Sequence, residues 1–363
     1  MNINKKIKST IVLSYPKPKY IMNKISGREL LDSSGIIFYQ IEKKIGKANF
    51  RKLVDKAVDE TIQDQEEAGI DIITDGEQRR GHYIYYILRH LTGFNFENMY
   101  EKPVKKIIKG KLKEAYKMLV PRVISSIKYN GPFLIENFKY IYSRTKKDIK
   151  IGFPGPSTVV DAVKNEFYKS DKELALNYAK AVKQEVIALR NAGCQIIQFD
   201  DPGLLRNPIR TQEWGIELLD KCFEGIEGIT TIVHVCRSYP NKKLEKLGIV
   251  YKSDESYYPY LLNLLQKSKI DQISIEGKQE NLNPAVLKHL GQKIVILGCL
   301  DVGSEKVETV EEIVNQGKAA LEYIKPEQLI LGPDCGLLQI SRKAAKAKLS
   351  NLAKAAEILN KIL

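Results

Sequence analysis

Residues 229–236, Ile-Thr-Thr-Ile-Val-His-Val-Cys, form an apolar, β-branched run that ends on an imidazole and a thiol. Such a run favours a buried strand. Side chains at positions i and i+2 of a strand point to the same side, so His234 and Cys236 face one point beyond the strand end. Two soft donors so placed are half of a zinc site. The pair alone is more typical of a structural role, with a buried cysteine and a hydrogen-bonded histidine.

The same kind of apolar run recurs along the chain, each time followed by a segment with helical periodicity. The predicted strands lie at roughly 10–14, 70–74, 149–153, 195–200, 230–234, 272–276, 293–298 and 328–332. The clearest predicted helices lie at 50–68, 171–191, 307–324 and 342–363. Eight strands alternating with helices predict an α/β fold, a (β/α)₈ TIM barrel, and 363 residues suit such a barrel as one catalytic domain over 1–363.

Polar residues cluster where the predicted strands end, which is where a TIM barrel gathers its active site. Scattered in sequence, these residues would form one ring at the mouth of the barrel. They are Ser14 after the first strand, Asp75 and Glu77 after the second, Ser157 after the third, Asp200 and Asp201 after the fourth, His234 and Cys236 after the fifth, Glu276 after the sixth, Asp301 after the seventh, and Asp334 and Cys335 after the eighth. This shared position raises the zinc interpretation above the structural one.

Two long excursions interrupt the alternation of strands and helices. The first, at about 92–148, follows the second strand and carries a lysine-rich stretch that predicts a basic hairpin or lobe over the barrel rim. Its alternative is a solvated face, which charge runs usually are. The second, at 237–269, separates Cys236 from Glu276 and predicts a long loop followed by a helix.

Composition restricts the class of protein. No apolar run is long enough to span a membrane and the first residues lack the apolar core of a secretory signal, so we expect a soluble, cytoplasmic protein with no membrane partner. Five single cysteines suit a reducing compartment. The net charge of +14 would suit nucleic acid, an acidic protein or a polyanionic small molecule, or reflect a lysine-rich proteome. We do not expect a nucleic-acid partner.

The donors on this ring favour one kind of chemistry. Glu276 and Cys335 could complete a zinc site with His234 and Cys236, and a thiol bound to zinc is deprotonated near neutral pH. A hydrolytic zinc site would instead favour histidine ligands and an open position for water. The ligand set therefore predicts alkylation of a thiol.

The acidic residues of the ring have a matching task. Glu77, Asp200 and Asp201 could hold the ammonium group of an amino-acid thiol, although Asp75 and Asp200 also sit where helix caps are common. Three cations, Arg79, Arg80 and Lys278, could pair either with a substrate carboxylate or with Glu77 and its neighbours.

The motifs together resemble the C-terminal catalytic barrel of cobalamin-independent methionine synthase and its shorter, barrel-only relatives. They are Asp75-Gly76-Glu77, Gln198-Phe199-Asp200-Asp201-Pro202, His234-Val235-Cys236, Ser274-Ile275-Glu276 and Pro333-Asp334-Cys335-Gly336-Leu337, and the resemblance runs from Ser14 to the C-terminus. It implies zinc held by His234, Cys236, Glu276 and Cys335, with homocysteine as the thiol. It further implies that Glu77 and Asp200 bind the homocysteine ammonium, and that Ser274, with Ser14 across the ring, lies beside its carboxylate.

The sequence also departs from the long members of this family. The chain has no length for their N-terminal barrel, and its loop between Cys236 and Glu276 is longer. Gly303 stands where they carry a histidine that assists protonation of the departing folate. The methyl donor is therefore left open between a methylated corrinoid protein and methyltetrahydrofolate, since a better leaving group needs no acid.

Two other functions stay open on the sequence alone. One is a related zinc barrel that alkylates or dealkylates a different thiol. The other is a basic binding protein with a structural zinc site, although structural sites usually draw ligands from closer spacings.

Overall fold

The computed structural model describes residues 7–22, 36–108, 111–237, 255–279 and 281–363. Eight parallel strands in these ranges form one nearly closed barrel. They are β1 (Lys8–Ser9), β2 (Ile72–Ile73), β5 (Asp148–Pro154), β7 (Ile196–Asp200), β8 (Thr230–Val235), β9 (Gln272–Ile275), β10 (Ile294–Gly298) and β11 (Leu329–Gly332). The order around the sheet is β1-β11-β10-β9-β8-β7-β5-β2, and a parallel bridge between Thr10 and Ile72 joins β1 to β2. The predicted TIM barrel is confirmed.

The first strand differs most from its prediction. It was expected at 10–14, but regular pairing covers Lys8–Ser9 and ends with the bridge at Thr10. Beyond that point, side chains replace the strand ladder. The ammonium of Lys150 donates to the Ile11 carbonyl at 2.6 Å, and the Thr74 hydroxyl donates to the Leu13 carbonyl at 2.7 Å. An apolar pattern cannot show whether these backbone groups pair with a neighbouring strand or with side chains, because the residues are buried in either case.

The barrel interior is apolar at one end and polar at the other. One buried isoleucine from each of five strands forms a layer across the bottom: Ile72, Ile196, Ile232, Ile296 and Ile330. Side chains alternate along a strand, so residues two and four positions further along point to the same side. Along β7 and β8 these residues are polar: Gln198 and Asp200 on β7, and His234 on β8 with Cys236 directly after it. The inward-facing positions of β7, β8 and β9 thus lead from this layer to Asp200, Cys236 and Glu276.

Helices surround the barrel and pack against it through apolar stripes. They are α1 (Lys19–Met22), α2 (Ile36–Ile45), α3 (Lys47–Glu67), α4 (Tyr83–Leu88), α5 (Ile135–Tyr142), α6 (Pro156–Asp161), α7 (Asp171–Asn191), α8 (Gly203–Arg206), α9 (Pro208–Arg210), α10 (Ile216–Lys221), α11 (Tyr258–Gln266), α12 (Val310–Leu321) and α13 (Arg342–Ile362). A five-residue π-helical turn, Thr211–Gly215, joins α9 to α10, and short 3₁₀ turns cover Glu255–Tyr257, Pro284–Leu290 and Pro326–Gln328.

Three of the long helices begin at a capping residue. The Ser170 hydroxyl accepts from Glu173 N at 3.1 Å and starts α7, and Ser341 does the same for α13 by accepting from Ala344 N. Thr309 and Glu312 form a reciprocal capping box at the start of α12, three residues inside the predicted boundary. The four predicted helices are present.

A second, smaller sheet is formed mainly by residues between β2 and β5. Two long strands, β3 (Phe94–Ile108) and β4 (Lys111–Val123), pair antiparallel, and the short β6 (Lys164–Asn165) adds to the base of β4. β3 and β4 lie within the excursion expected at about 92–148, whereas β6 follows β5 and α6. The ammonium of Lys102 anchors the ribbon to the barrel by donating to the carbonyls of Val160, Asp161 and Val163.

The second excursion falls partly outside the described residues, since positions 238–254 are not included. Its helix is present as α11, and Tyr258 at the start of α11 donates from its hydroxyl to the Val235 carbonyl at 3.0 Å. Within the described ranges, no helix is both long and apolar enough to cross a membrane.

Candidate functional site

Three of the predicted metal ligands meet at the mouth of the barrel. His234 lies in β8, Cys236 follows the end of β8, and Cys335 follows β11. Their ligand atoms all lie within 4.8 Å of one another, and all three residues are buried. The His234 Nε2 atom is 3.4 Å from Cys335 Sγ. In the part of the chain that the structure describes, these residues form the group of His, Cys, Asp or Glu side chains close enough to hold one metal ion.

A hydrogen bond orients the imidazole toward the two thiols. His234 Nδ1 lies 2.8 Å from the Ser274 hydroxyl, which leaves Nε2 for the thiol side. A partner on the other ring nitrogen is the usual arrangement for a histidine that binds a metal. One imidazole and two thiols in a buried site fit a soft, tetrahedral dication such as Zn²⁺.

The two thiols have different acidities. The hydrogen bond from the Cys335 thiol lowers the pKa of Cys236 well below its usual range, and the neighbouring His234 acts in the same direction. The same hydrogen bond, together with burial and the nearby charges of Cys236 and Glu276, raises the pKa of Cys335 well above its usual range. Cys236 is therefore the more acidic of the two thiols and the one more easily converted to the thiolate that binds metal.

Glu276, the fourth predicted ligand, lies next to this group but is not one of its three close members. It follows β9 directly and is buried, with 2 % of its surface exposed. Its Oε1 atom accepts from Arg237 N at 2.9 Å, so the carboxylate ties the end of β9 to the loop after Cys236. Glu276 as a metal ligand stays a prediction.

Two carboxylates form the acidic side of the mouth. Glu77 follows β2, and its pKa is raised to about 7, first by burial and further by the charges of Asp200 and Asp75, against the opposing effect of Arg80. Arg80 Nη1 donates to Glu77 Oε1 at 3.1 Å. Asp200 ends β7 and accepts from Gln198 Nε2 at 2.7 Å, and burial raises its pKa. Glu77 and Asp200 are therefore close enough to interact electrostatically.

The two predicted serines differ in their surroundings. The Ser14 hydroxyl is buried and has no hydrogen-bond partner among the described residues, so it can still bind a ligand. Ser274 already pairs with His234 through its hydroxyl. Substrate binding by either serine is a prediction that this geometry does not test.

Several residues singled out in the sequence have structural partners instead. Asp201 caps α6, since its carboxylate accepts from Ser157 N, from Thr158 N at 2.7 Å and from the Thr158 hydroxyl. The expectation that Asp201 helps hold an ammonium group is therefore replaced by the capping role. Arg79 pairs with Asp55, and Lys278 lies 3.9 Å from Glu312.

Sequence reasoning missed Lys150 at the mouth, and it named Gln198 and Asp334 in motifs without predicting their contacts. Gln198 donates to Asp200, burial lowers the pKa of Lys150 to about 7 against the opposing charge of Asp200, and Asp334 accepts three backbone amides. Lys150 and Gln198 both occupy inward positions of their strands, where a polar residue in an apolar run was the available signal.

Comparison with known proteins places these residues in a family. The family model described as "Cobalamin-independent synthase, Catalytic domain" matches residues 39–358. The methionine synthase of Sulfurisphaera tokodaii is 31 % identical over 98 % of this chain and 93 % of its own length. That of Saccharolobus solfataricus is also 31 % identical, over 98 % and 95 %.

A solved structure agrees with these relatives. The B12-independent methionine synthase from Shewanella sp. W3-18-1, solved in complex with selenomethionine, shares 28 % identity and a TM-score of 0.80, covering 98 % of each chain. The resemblance inferred from the motifs is thereby confirmed. The chain belongs to the family of cobalamin-independent methionine synthase catalytic domains, which are methyltransferases.

Proposed function

We propose that this protein methylates the thiol of homocysteine to form methionine, and that it uses Zn²⁺ held by His234, Cys236, Cys335 and Glu276. The observation that carries the proposal is the buried imidazole and two thiols within 4.8 Å of one another, in the same barrel mouth as Glu77 and Asp200. Family membership supports methyl transfer, and the donor set supports zinc.

The residues of the site have distinct tasks in this reaction. Glu77 and Asp200 bind the homocysteine ammonium. The Ser14 hydroxyl, which has no hydrogen-bond partner within the described ranges, binds the carboxylate together with Ser274. Ser274 also keeps the His234 ring in orientation. Bound zinc would lower the pKa of the substrate thiol, so that sulfur is present as a thiolate near neutral pH.

The transfer itself is a displacement at the methyl carbon. The homocysteine thiolate attacks that carbon, a C–S bond forms, and the bond from the methyl group to the donor breaks with its electron pair left on the donor. A tertiary amine of a folate leaves poorly without a proton, whereas a corrinoid cobalt does not need one. Gly303 cannot supply a proton, and its amide donates to Asp301 Oδ1 at 2.8 Å. The donor is therefore a methylated corrinoid protein or, with an acid from elsewhere, methyltetrahydrofolate.

The test gives the zinc-loaded protein homocysteine with either methylcobalamin or methyltetrahydrofolate, and measures methionine by mass spectrometry. We expect methionine from at least one donor. Absence of product from every donor, with zinc bound, would contradict the proposal.

Metal analysis tests the ligand assignment separately. Cys236→Ala and Cys335→Ala should each lose most of the bound zinc, because each removes one of few donors. Cys194→Ala is the matched control, since that thiol is buried at the other end of β7, 3.6 Å from the Ile196 carbonyl. Full zinc content in both ligand variants would refute the assignment.

The identity of the thiol has its own test. Combined Glu77→Gln and Asp200→Asn should weaken homocysteine binding, because both partners of the ammonium lose their charge. An unchanged KM for homocysteine would favour a different thiol substrate.

A further inference from the structure

Two of the proposed zinc ligands come from strands that do not touch. Glu276 follows β9 and Cys335 follows β11, and β10 lies between those strands in the sheet. The hydrogen-bond ladder therefore cannot set the relative position of the two strand ends directly. Some other contact must join the loop after Glu276 to the loop that carries Cys335.

The carboxylate of Asp334 makes that contact. Its Oδ1 atom accepts from Gly277 N and Lys278 N, both at 2.9 Å, and its Oδ2 atom accepts from Gln279 N at 2.8 Å. Only 1 % of Asp334 is exposed. Gly277 directly follows Glu276 and Asp334 directly precedes Cys335, so one buried side chain links the neighbours of both ligands.

The end of β10 is shaped to let this carboxylate pass. Gly298 is the last residue of β10, and a Cβ atom there would lie 2.2 Å from Asp334 Oδ1. No side chain fits in that space. Gly298 thus leaves room for the Asp334 carboxylate to pass the end of β10 and reach the loop after Glu276.

We propose that Asp334 is a positioning residue that holds Glu276 and Cys335 in register for the metal before the metal binds. The inference rests on the proposed function, in that it assumes a metal held by these ligands. Asparagine at position 334 would place an amide NH₂ against backbone N–H donors, and at least one of the three hydrogen bonds would be lost.

The first test measures metal affinity. Asp334→Asn should bind Zn²⁺ about 10- to 100-fold more weakly in competition with a chelator, as outer partners of metal ligands typically do. The absorption spectrum of the Co²⁺-loaded variant should also change in its thiolate and ligand-field bands. The zinc affinity and the Co²⁺ spectrum both report on the metal site independently of enzyme activity.

Asp271→Asn is the matched control. Asp271 lies at the opposite end of β9, where its carboxylate accepts from Thr231 N at 2.8 Å. This variant should keep wild-type zinc affinity and the wild-type Co²⁺ spectrum. Equal affinity of Asp334→Asn and wild type would overturn the role of Asp334.

The second test uses the wild-type protein and does not depend on a variant that folds. Amide hydrogen exchange at residues 277–279 should already be slow without metal, because Asp334 accepts those amides. Protection that arises only after zinc is added would mean that the metal organises the loop, which overturns the proposal. Failure of the proposed function would give a different result. Wild type would then bind no zinc, or Cys236→Ala and Cys335→Ala would bind as much zinc as wild type.

Discussion

Glu77 has a backbone conformation that is uncommon for a residue other than glycine. Its φ of 55° is in the left-handed region, which costs a non-glycine residue about 1–3 kcal/mol unless the surroundings enforce it. Asp75 Oδ1 accepts from Glu77 N at 2.9 Å, and the ammonium of Lys17 donates to the Glu77 carbonyl at 3.0 Å. These contacts direct the carboxyl group into the barrel mouth, where burial raises its pKa.

The pKa of Glu77, about 7, predicts a pH-dependent affinity for homocysteine. Below that pH the carboxyl group is neutral and attracts the substrate ammonium less, so the KM for homocysteine should rise as the pH falls from 8 to 6. The substrate ammonium stays protonated over this range. Steady-state kinetics at several pH values measure the effect.

A Glu77→Gln variant should have a high KM that no longer changes with pH between 6 and 8. Glu136→Gln is the control, because that side chain is 84 % exposed and lies outside the mouth, so its profile should follow wild type. A pH-dependent KM that survives in Glu77→Gln would assign the titration to another group.

At the scale of single elements, α7 does more than cover the barrel. Glu185 lies in its middle, is fully buried, and accepts from the Tyr129 hydroxyl at 2.8 Å, from Phe133 N and from Leu134 N at 2.6 Å. One carboxylate thus holds the segment that leads into α5. The helix periodicity predicted the bounds of α7, but Glu185 falls on its buried face as an exception to the apolar pattern.

Glu185→Ala should lower the free energy of unfolding by about 3 kcal/mol, since it removes the acceptor of one buried and two partly buried donors. Urea denaturation followed by circular dichroism measures the change. Lys180→Ala, at an exposed position of the same helix, should change stability by less than about 0.5 kcal/mol. A loss below about 1 kcal/mol in Glu185→Ala would mean that water satisfies these donors.

At the scale of the whole molecule, the last helix ties the two ends of the chain together. Asn360 on α13 accepts from Ile7 N at 3.0 Å and donates to its carbonyl at 2.7 Å, beside β1. Nearer its start, the buried ammonium of Lys348 donates to both oxygens of Glu308, at 3.0 and 2.8 Å, and to the Lys306 carbonyl. Glu308 in turn accepts from Asp301 N, so α13 supports the loop after β10.

Lys348→Met should destabilise the protein by about 3–5 kcal/mol, because it leaves the Glu308 charge buried without its cation. Adding Glu308→Gln should recover a large part of the loss, since the uncompensated charge is then gone. Thermal and urea unfolding of the single and double variants measure both effects, with Lys354→Met at an exposed position of α13 as the control. If Lys348→Met and the double variant with Glu308→Gln were equally stable, the unpaired charge of Glu308 would not be the cause of the lost stability.

Local patterns were sufficient for most of the framework. β-branched runs marked the strands, helical periodicity marked the long helices, and the spacing of His234 and Cys236 placed both side chains on one side of their strand. Each of these depends on interactions within a few residues. The position of β1 was the exception, because Lys150 and Thr74 replace its ladder from distant parts of the chain.

The sequence by itself determined the barrel, the family resemblance and the candidate donors at its mouth, because hydrophobic periodicity and strand-end position are local properties. Only the tertiary structure decided which of these side chains meet at the candidate metal site and which bond to other parts of the protein. Cys335 lies beside His234 although 101 positions separate them in the sequence. Asp201 caps a helix, and Asp334 joins the loops on either side of β10. The reason is physical: such contacts follow from barrel closure and burial, which no local pattern encodes.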